Sequence, residues 1–390
     1  MIKTIGFDSH KFNVLPKQLC QSGTAVPLDE IDVDIDDLCH QLFHDCHGPV
    51  PSVNPAVAYF LALLSSSTAF EFAGDGPGTH KEIRIGESNK YGKAFCRWFL
   101  YTHLGITYFA HIDNVLRAGL PVPYNTWNIR RLPGKGDAPD YVCAGNTNTI
   151  LLGEAKGRQS AVTWDANKGP FVAWRKQFDR LEVRNPSGTV VKLKGYIAAA
   201  VMRNQSHKKL QSKLIVEDPE TVGERPINDE EGFGLRLSIM AHHYSDILER
   251  LAQPVHAAYL RSGLGFHEEI NREALVWDCR VPSLRGRQFV GGYLLPTDFQ
   301  YQWPHPFSLD QRQWSRFFYG NLNRPRITFV GLDRAVFKTL LNAVRDGDVN
   351  SLAALEQQVV PETPEAVSFL RDGTLICSVD YMSLVDTIQL

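Results

Sequence analysis

Residues 139–156 read PDYVCAGNTNTILLGEAK. Asp140–Ala144 and Thr149–Ala155 are short runs of apolar and β-branched residues, and Asn146-Thr147-Asn148 between them supplies turn chemistry. The stretch therefore predicts a β-hairpin, with the second strand apolar enough to lie inside a sheet. Side chains alternate along a strand, so Glu154 and Lys156 share one face. Asp140 opens the first strand, beyond a short turn from the second. Two carboxylates converging beside an ammonium group make a donor set suited to a hard divalent cation. A cation, an activated water and neutralisation of developing charge are what phosphodiester hydrolysis needs.

On either side of the hairpin the chain alternates helix and strand. Glu87–His103 places Tyr91, Ala94, Phe95, Trp98 and Phe99 on one helical face. Ile106–Ile112 is β-branched and aromatic and predicts a strand. Phe171–Val183 predicts a helix burying Phe171, Trp174, Phe178 and Leu181, and Gly195–Met202 a fully apolar strand. The predicted order is helix, strand, strand, strand, helix, strand.

The spacing of Pro139-Asp140 and Glu154-Ala155-Lys156, set in that order of elements, resembles the PD-(D/E)XK nuclease superfamily over roughly residues 86–203. Glu154-Ala155-Lys156 is the chain's only acidic-x-Lys triplet. The resemblance implies an α/β fold: a restriction-endonuclease-like αβββαβ core with a mixed sheet, and N-terminal and C-terminal α/β extensions. It implies Asp140 and Glu154 as ligands of Mg2+ or Mn2+, and Lys156 as the residue that positions water and stabilises the phosphorane. It also implies an acidic metal ligand from the first helix, where Glu87 stands with Glu82 as alternate. A glutamine on the second helix is implied too, where Gln177 stands; Leu181 replaces the tyrosine of the exonuclease pattern.

Three regions are expected: an acidic stretch at 1–78, the nuclease-like core at 79–215, and a mixed α/β region at 216–390 suited to substrate or partner binding. Gly74-Asp75-Gly76-Pro77-Gly78 is a linker signal, and 218–232 is a polar connection. The net charge of −2 hides an asymmetry. Residues 1–80 hold ten Asp and Glu against three Lys, while 130–213 hold sixteen Lys and Arg against six Asp and Glu. That basic block suits a phosphate backbone, with Arg130, Arg131, Lys135, Arg158, Lys168, Arg175, Lys176, Lys208 and Lys209 as candidate contacts. The acidic segment is a candidate cover for the basic face.

Among 390 residues, 43% are hydrophobic and 22% charged, which excludes extensive disorder. The start has no apolar leader run, seven cysteines lack a framework pattern, and the apolar stretch 56–72 is too short and too polar to span a bilayer, so it predicts a buried helix. A cytoplasmic protein without membrane association is expected. No GxxxxGK[ST], HExxH or GxSxG occurs. Cys39-His40-x3-His44-x-Cys46-His47 has zinc-type donors but no second ligand pair, and a histidine-rich amphipathic helix over Ile35–Phe43 is the favoured reading. Leu235–Leu260 predicts a helix or helix pair. His242-His243 and His267-Glu268-Glu269 are expected to be structural, and the aromatic and arginine residues of 301–326 to serve a core before base stacking. The expected activity is cleavage of DNA rather than RNA, in a phage-defence or restriction setting, alone, as a homodimer or beside a helicase or ATPase subunit. The rival expectation is a nucleic-acid-binding or scaffold subunit that does not cut.

Overall fold

The computed structural model describes residues 1–45, 57–78, 80–145, 149–219, 229–266, 273–294 and 328–390. The turn at 146–148, Cys46, His47, 267–269 and the aromatic stretch 301–326 lie outside them.

In chain order the elements are β1 (Ile2–His10), β2 (Glu30–Asp34), α1 (Ile35–Asp45), α2 (Val57–Ala62), α3 (Lys81–Leu104), β3 (Ile106–His111), α4 (Ile112–Ala118), β4 (Asn128–Arg131), β5 (Tyr141–Gly145) and β6 (Ile150–Arg158). Then follow α5 (Pro170–Phe178), β7 (Leu181–Arg184), β8 (Val190–Val191), β9 (Lys194–Val201), β10 (Lys213–Glu217), α6 (Asp229–Arg250) and α7 (Pro254–Ser262). The C-terminal part adds β11 (Glu273–Cys279), β12 (Gln288–Leu294), β13 (Thr328–Asp333), α8 (Arg334–Asp346), β14 (Val367–Phe369), β15 (Thr374–Ser378) and β16 (Met382–Gln389).

The hairpin forms: β5 and β6 pair antiparallel, Tyr141 opposite Gly153. It sits inside a seven-stranded mixed sheet of order β2-β1-β10-β9-β6-β5-β3. β6 runs parallel to β9, and β1 to β10; the other neighbours are antiparallel. The apolar strands are explained by burial on both faces. On one face Ala155, Tyr141, Leu151, Ala198 and Ala200 pack with Phe95, Trp98 and Phe99 of α3. On the other, Val142, Leu152, Ile197 and Ala199 pack with Phe171, Trp174 and Phe178 of α5 and with Leu237, Met240 and Tyr244 of α6. A six-stranded sheet, β14-β15-β13-β12-β11-β16, builds the C-terminal part around Trp277, Phe289, Phe329 and Leu375.

Several expectations change. The stretch 1–78 contributes β1 and β2 to the same sheet as the hairpin, so it is no separate cover. Several of its carboxylates are used internally, while Asp29, Glu30, Asp32 and Asp75 stay exposed. Asp36 holds the amino terminus at 3.2 Å, Asp45 meets His111 at 2.9 Å, and Glu71 meets Arg203 at 2.7 Å. Helix α2 covers only Val57–Ala62 of the apolar stretch. Helix α5 ends at Phe178, because Leu181 and Val183 alternate inward on β7, which pairs with β4 rather than continuing the helix. The predicted helix pair is present as α6 and α7, with Pro254 opening the second.

The contact that seats α3 on the sheet is made of backbone. A Cβ on Gly157 would lie 1.6 Å from the Ser88 carbonyl oxygen, and one on Gly92 would lie 2.3 Å from Gly157 N. Gly157→Ala must therefore push α3 off β6, an overpacking cost of about 1–3 kcal/mol or more. Gly86, on the same helix with open space around it, is the control; Gly86→Ala should stabilise by up to about 1 kcal/mol through helix propensity. Thermal unfolding of the two variants should move in opposite directions, and a Gly157→Ala protein as stable as the wild type would contradict the close packing.

Candidate metal and phosphate site

Asp140 precedes β5 and is fixed from two sides. Its carbonyl accepts from Ile112 N at 3.0 Å and its Oδ2 from Ala155 N at 2.9 Å. Extending the register by one pair sets it across from Glu154. Glu154 is 0% exposed. Lys156, two residues on and on the same face, pairs with Glu154 Oε1. Gln177 on α5 stands at the same carboxylate; with its amide oriented so that the nitrogen faces Glu154, the orientation that gives both groups a partner, that nitrogen lies 2.6 Å from Oε2. Burial, reinforced by the Asp140 charge and opposed by Lys156, pushes the Glu154 carboxyl up to about 8. Four of the five residues expected at the centre, Asp140, Glu154, Lys156 and Gln177, are thus brought together.

Glu87 is not. Its carboxylate accepts from Lys90 at 2.8 Å. Among the described residues it does not join Asp140 and Glu154 in a group of three that could hold a metal ion. Glu82 is exposed in the first turn of α3, roughly 15 Å along the axis from Gly92. The helix instead presents Lys93, whose Nζ is 3.8 Å from Asp140 Oδ1. No sequence motif pointed to Lys93; its place follows from the glycine contact beside it.

Among the described residues no three His, Cys, Asp or Glu side chains gather as a metal cluster. Asp140 and Glu154 nevertheless fit a hard cation such as Mg2+, which takes one or two protein carboxylates and completes its shell with water and phosphate. A buried carboxyl that holds its proton so tightly is one whose negative charge lacks sufficient compensation. A divalent cation would supply it.

The basic candidates divide. Arg175 is structural: its Nε donates to buried Glu217 at 2.8 Å, and its other nitrogens to the carbonyls of Ala166 and Asp165. Arg130 shares Glu182 with Arg184, each at 2.7 Å. Arg131 holds the Gly136 carbonyl at 2.6 Å. Arg158 lies over Trp174, 5.6 Å from the ring centre. Lys135, Lys168, Lys176, Lys208 and Lys209 are exposed.

The histidines of the Cys39–His47 stretch face a different task. His40 Nδ1 lies 2.8 Å from Ser368 Oγ, and His44 Nε2 lies 3.0 Å from Thr374 Oγ1, all buried. Burial drives His40 down to about 3, so it stays neutral. His242 donates to the Gly119 carbonyl, and His243 bonds Asp372 at 2.9 Å. Comparison with known proteins finds no matching family model, no matching curated protein and no matching solved structure.

Glu154 sets a pH dependence. Unfolded, its carboxyl titrates near 4.5; folded, near 8. Between these values the folded state binds more protons, so stability falls as pH rises through the window. Glu154→Gln removes that loss. In EDTA, the unfolding free energy of the variant should gain on that of the wild type from pH 5 to pH 8.5, by an amount on the order of 1–3 kcal/mol. A gap that is constant with pH would show that Glu154 does not titrate there.

Proposed function

We infer that the chain is a metal-dependent nuclease of the PD-(D/E)XK type, acting on phosphodiester bonds in nucleic acid. The observation that carries this is the convergence of Asp140, Glu154, Lys156 and Gln177 at one point of the β5–β6 hairpin. The surroundings support it. Strands β3, β5, β6 and β9 are adjacent in that order, the last parallel to the third, with α3 and α5 on opposite faces. That order is compatible with the restriction-endonuclease-like αβββαβ core that this reading requires.

Asp140 and Glu154 would hold Mg2+ or Mn2+, which when bound supplies a Lewis acid and lowers the pKa of water. The chain's own groups do the rest. Ala155 N and the β5–β6 register fix the Asp140 carboxylate. Gln177 fixes the plane of Glu154. Lys156, 22% exposed, is the cation able to turn from Glu154 toward a scissile phosphate and stabilise its added negative charge. The exposed lysines offer backbone contacts, and DNA is the substrate proposed before RNA. A restriction or phage-defence setting, homodimerisation and a helicase or ATPase partner belong to the same reading by analogy of fold. No described helix is long and apolar enough to cross a membrane.

A second reading, a binding or scaffold subunit that does not cut, draws on the placement of Glu87, which leaves the first helix without a carboxylate at the centre.

Digestion of plasmid and oligonucleotides with Mg2+, Mn2+ or EDTA separates the two. The nuclease reading expects cleavage only with metal, and a loss of about 10²–10³ in rate for Lys156→Ala. Asp140→Asn and Glu154→Gln should each weaken Mn2+ binding in titration calorimetry. Cleavage undiminished in Lys156→Ala, or Mn2+ affinity unchanged in both carboxylate variants, would refute the assignment.

A further inference from the structure

We propose that Lys93 is a second phosphate-contacting amine of this site, held by Asp140 in the metal-free chain and released toward nucleic acid when Asp140 engages a cation. The inference rests on the nuclease reading of the Asp140–Glu154 pair.

Each carboxylate has its own ammonium partner. Lys156 on β6 holds Glu154, and Lys93 on α3 stands 3.8 Å from Asp140. The two amines come from different elements. The Asp140–Lys93 pair is loose, with 30% of the lysine side chain and 22% of the aspartate side chain exposed. Such pairs are weakly held. Asp140 does not depend on it for orientation, because Ala155 N already fixes Oδ2. What fixes Lys93 is its neighbour: Gly92 lies against the β6 backbone, so the next residue of α3 must emerge at the edge of the hairpin. An ammonium and a divalent cation compete for one carboxylate. A displaced, partly exposed Lys93 has a four-carbon stem with which to reach a phosphate oxygen beside Asp140.

The proposal makes two changes of opposite sign in one variant. Lys93→Gln removes a competing charge, so Mn2+ affinity by calorimetry should rise roughly three- to tenfold, the factor expected for a unit charge about 4 Å away in a solvated setting. The same change should weaken binding of a duplex oligonucleotide, measured with Ca2+ under conditions where no product forms. It should also lower the slope of log affinity against log salt by about one. Lys93→Arg, which keeps the charge, should restore the slope. A structural role would lower both affinities together, and an idle surface lysine would change neither; either result overturns the proposal. The nuclease reading fails on a different observation, namely Mn2+ affinity indifferent to Asp140→Asn and Glu154→Gln. If those variants lose metal while Lys93→Gln alters nothing, the reading stands and the role of Lys93 falls.

Discussion

The contact between the backbones of α3 and β6 governs the rest of the architecture. Ser88, Gly92 and Gly157 meet with no side chain between helix and strand. A helix that close cannot slide or turn without collision, so its phase is fixed. Two consequences follow from that phase: Cys96 Sγ reaches the Glu154 carbonyl, and Lys93 comes out beside Asp140. The polar centre and the helix that borders it are thus specified by two residues that carry no chemistry.

The burial of Glu154 depends on the other face. Trp174 and Phe178 of α5 pack over the strands, and Gln177 between them meets the carboxylate. An uncompensated charge there would be costly. The chain meets that cost in part with Lys156 and Gln177, and the remaining imbalance appears as a raised proton affinity. Proton and ammonium are therefore alternatives at the same oxygens.

Much of this was legible in sequence, and what was not has a physical cause. The hairpin, its neighbouring helices and the grouping of Asp140, Glu154 and Lys156 follow from local patterns, namely period-two alternation, apolar runs and helical spacing, while Gln177 was reached only through the family resemblance. Glu87 pairs with Lys90, and a helix's phase relative to a sheet is not a local property, since it depends on a contact 69 residues distant in sequence, between Ser88 and Gly157. The role of 1–78 was misjudged because net charge is a sum. Three of its acidic residues, Asp45, Glu71 and Asp36, pair individually with His111, Arg203 and the amino terminus, while β1 finds its neighbour β10 some two hundred residues later. His40 and His44 gave a metal-like spacing in sequence. Their partners, Ser368 and Thr374, lie at the other end of the chain.

The basic block yields to the same reasoning. A count of charges treats Arg175, Arg130 and Lys176 alike, but a guanidinium already satisfied by a buried carboxylate contributes little to a surface field. Arg175 neutralises Glu217, Arg130 and Arg184 divide Glu182, and Arg180 donates to the Pro133 carbonyl at 2.7 Å, within the turn that precedes Asp140. These arginines build the scaffold, because a planar fork with several donors satisfies carbonyls and carboxylates at once. Lys135, Lys168, Lys176, Lys208 and Lys209 are exposed, and so are Arg130, Arg131 and Arg158. The individual partners of each cation, and not the count of charges, therefore decide which of them stay available at the surface.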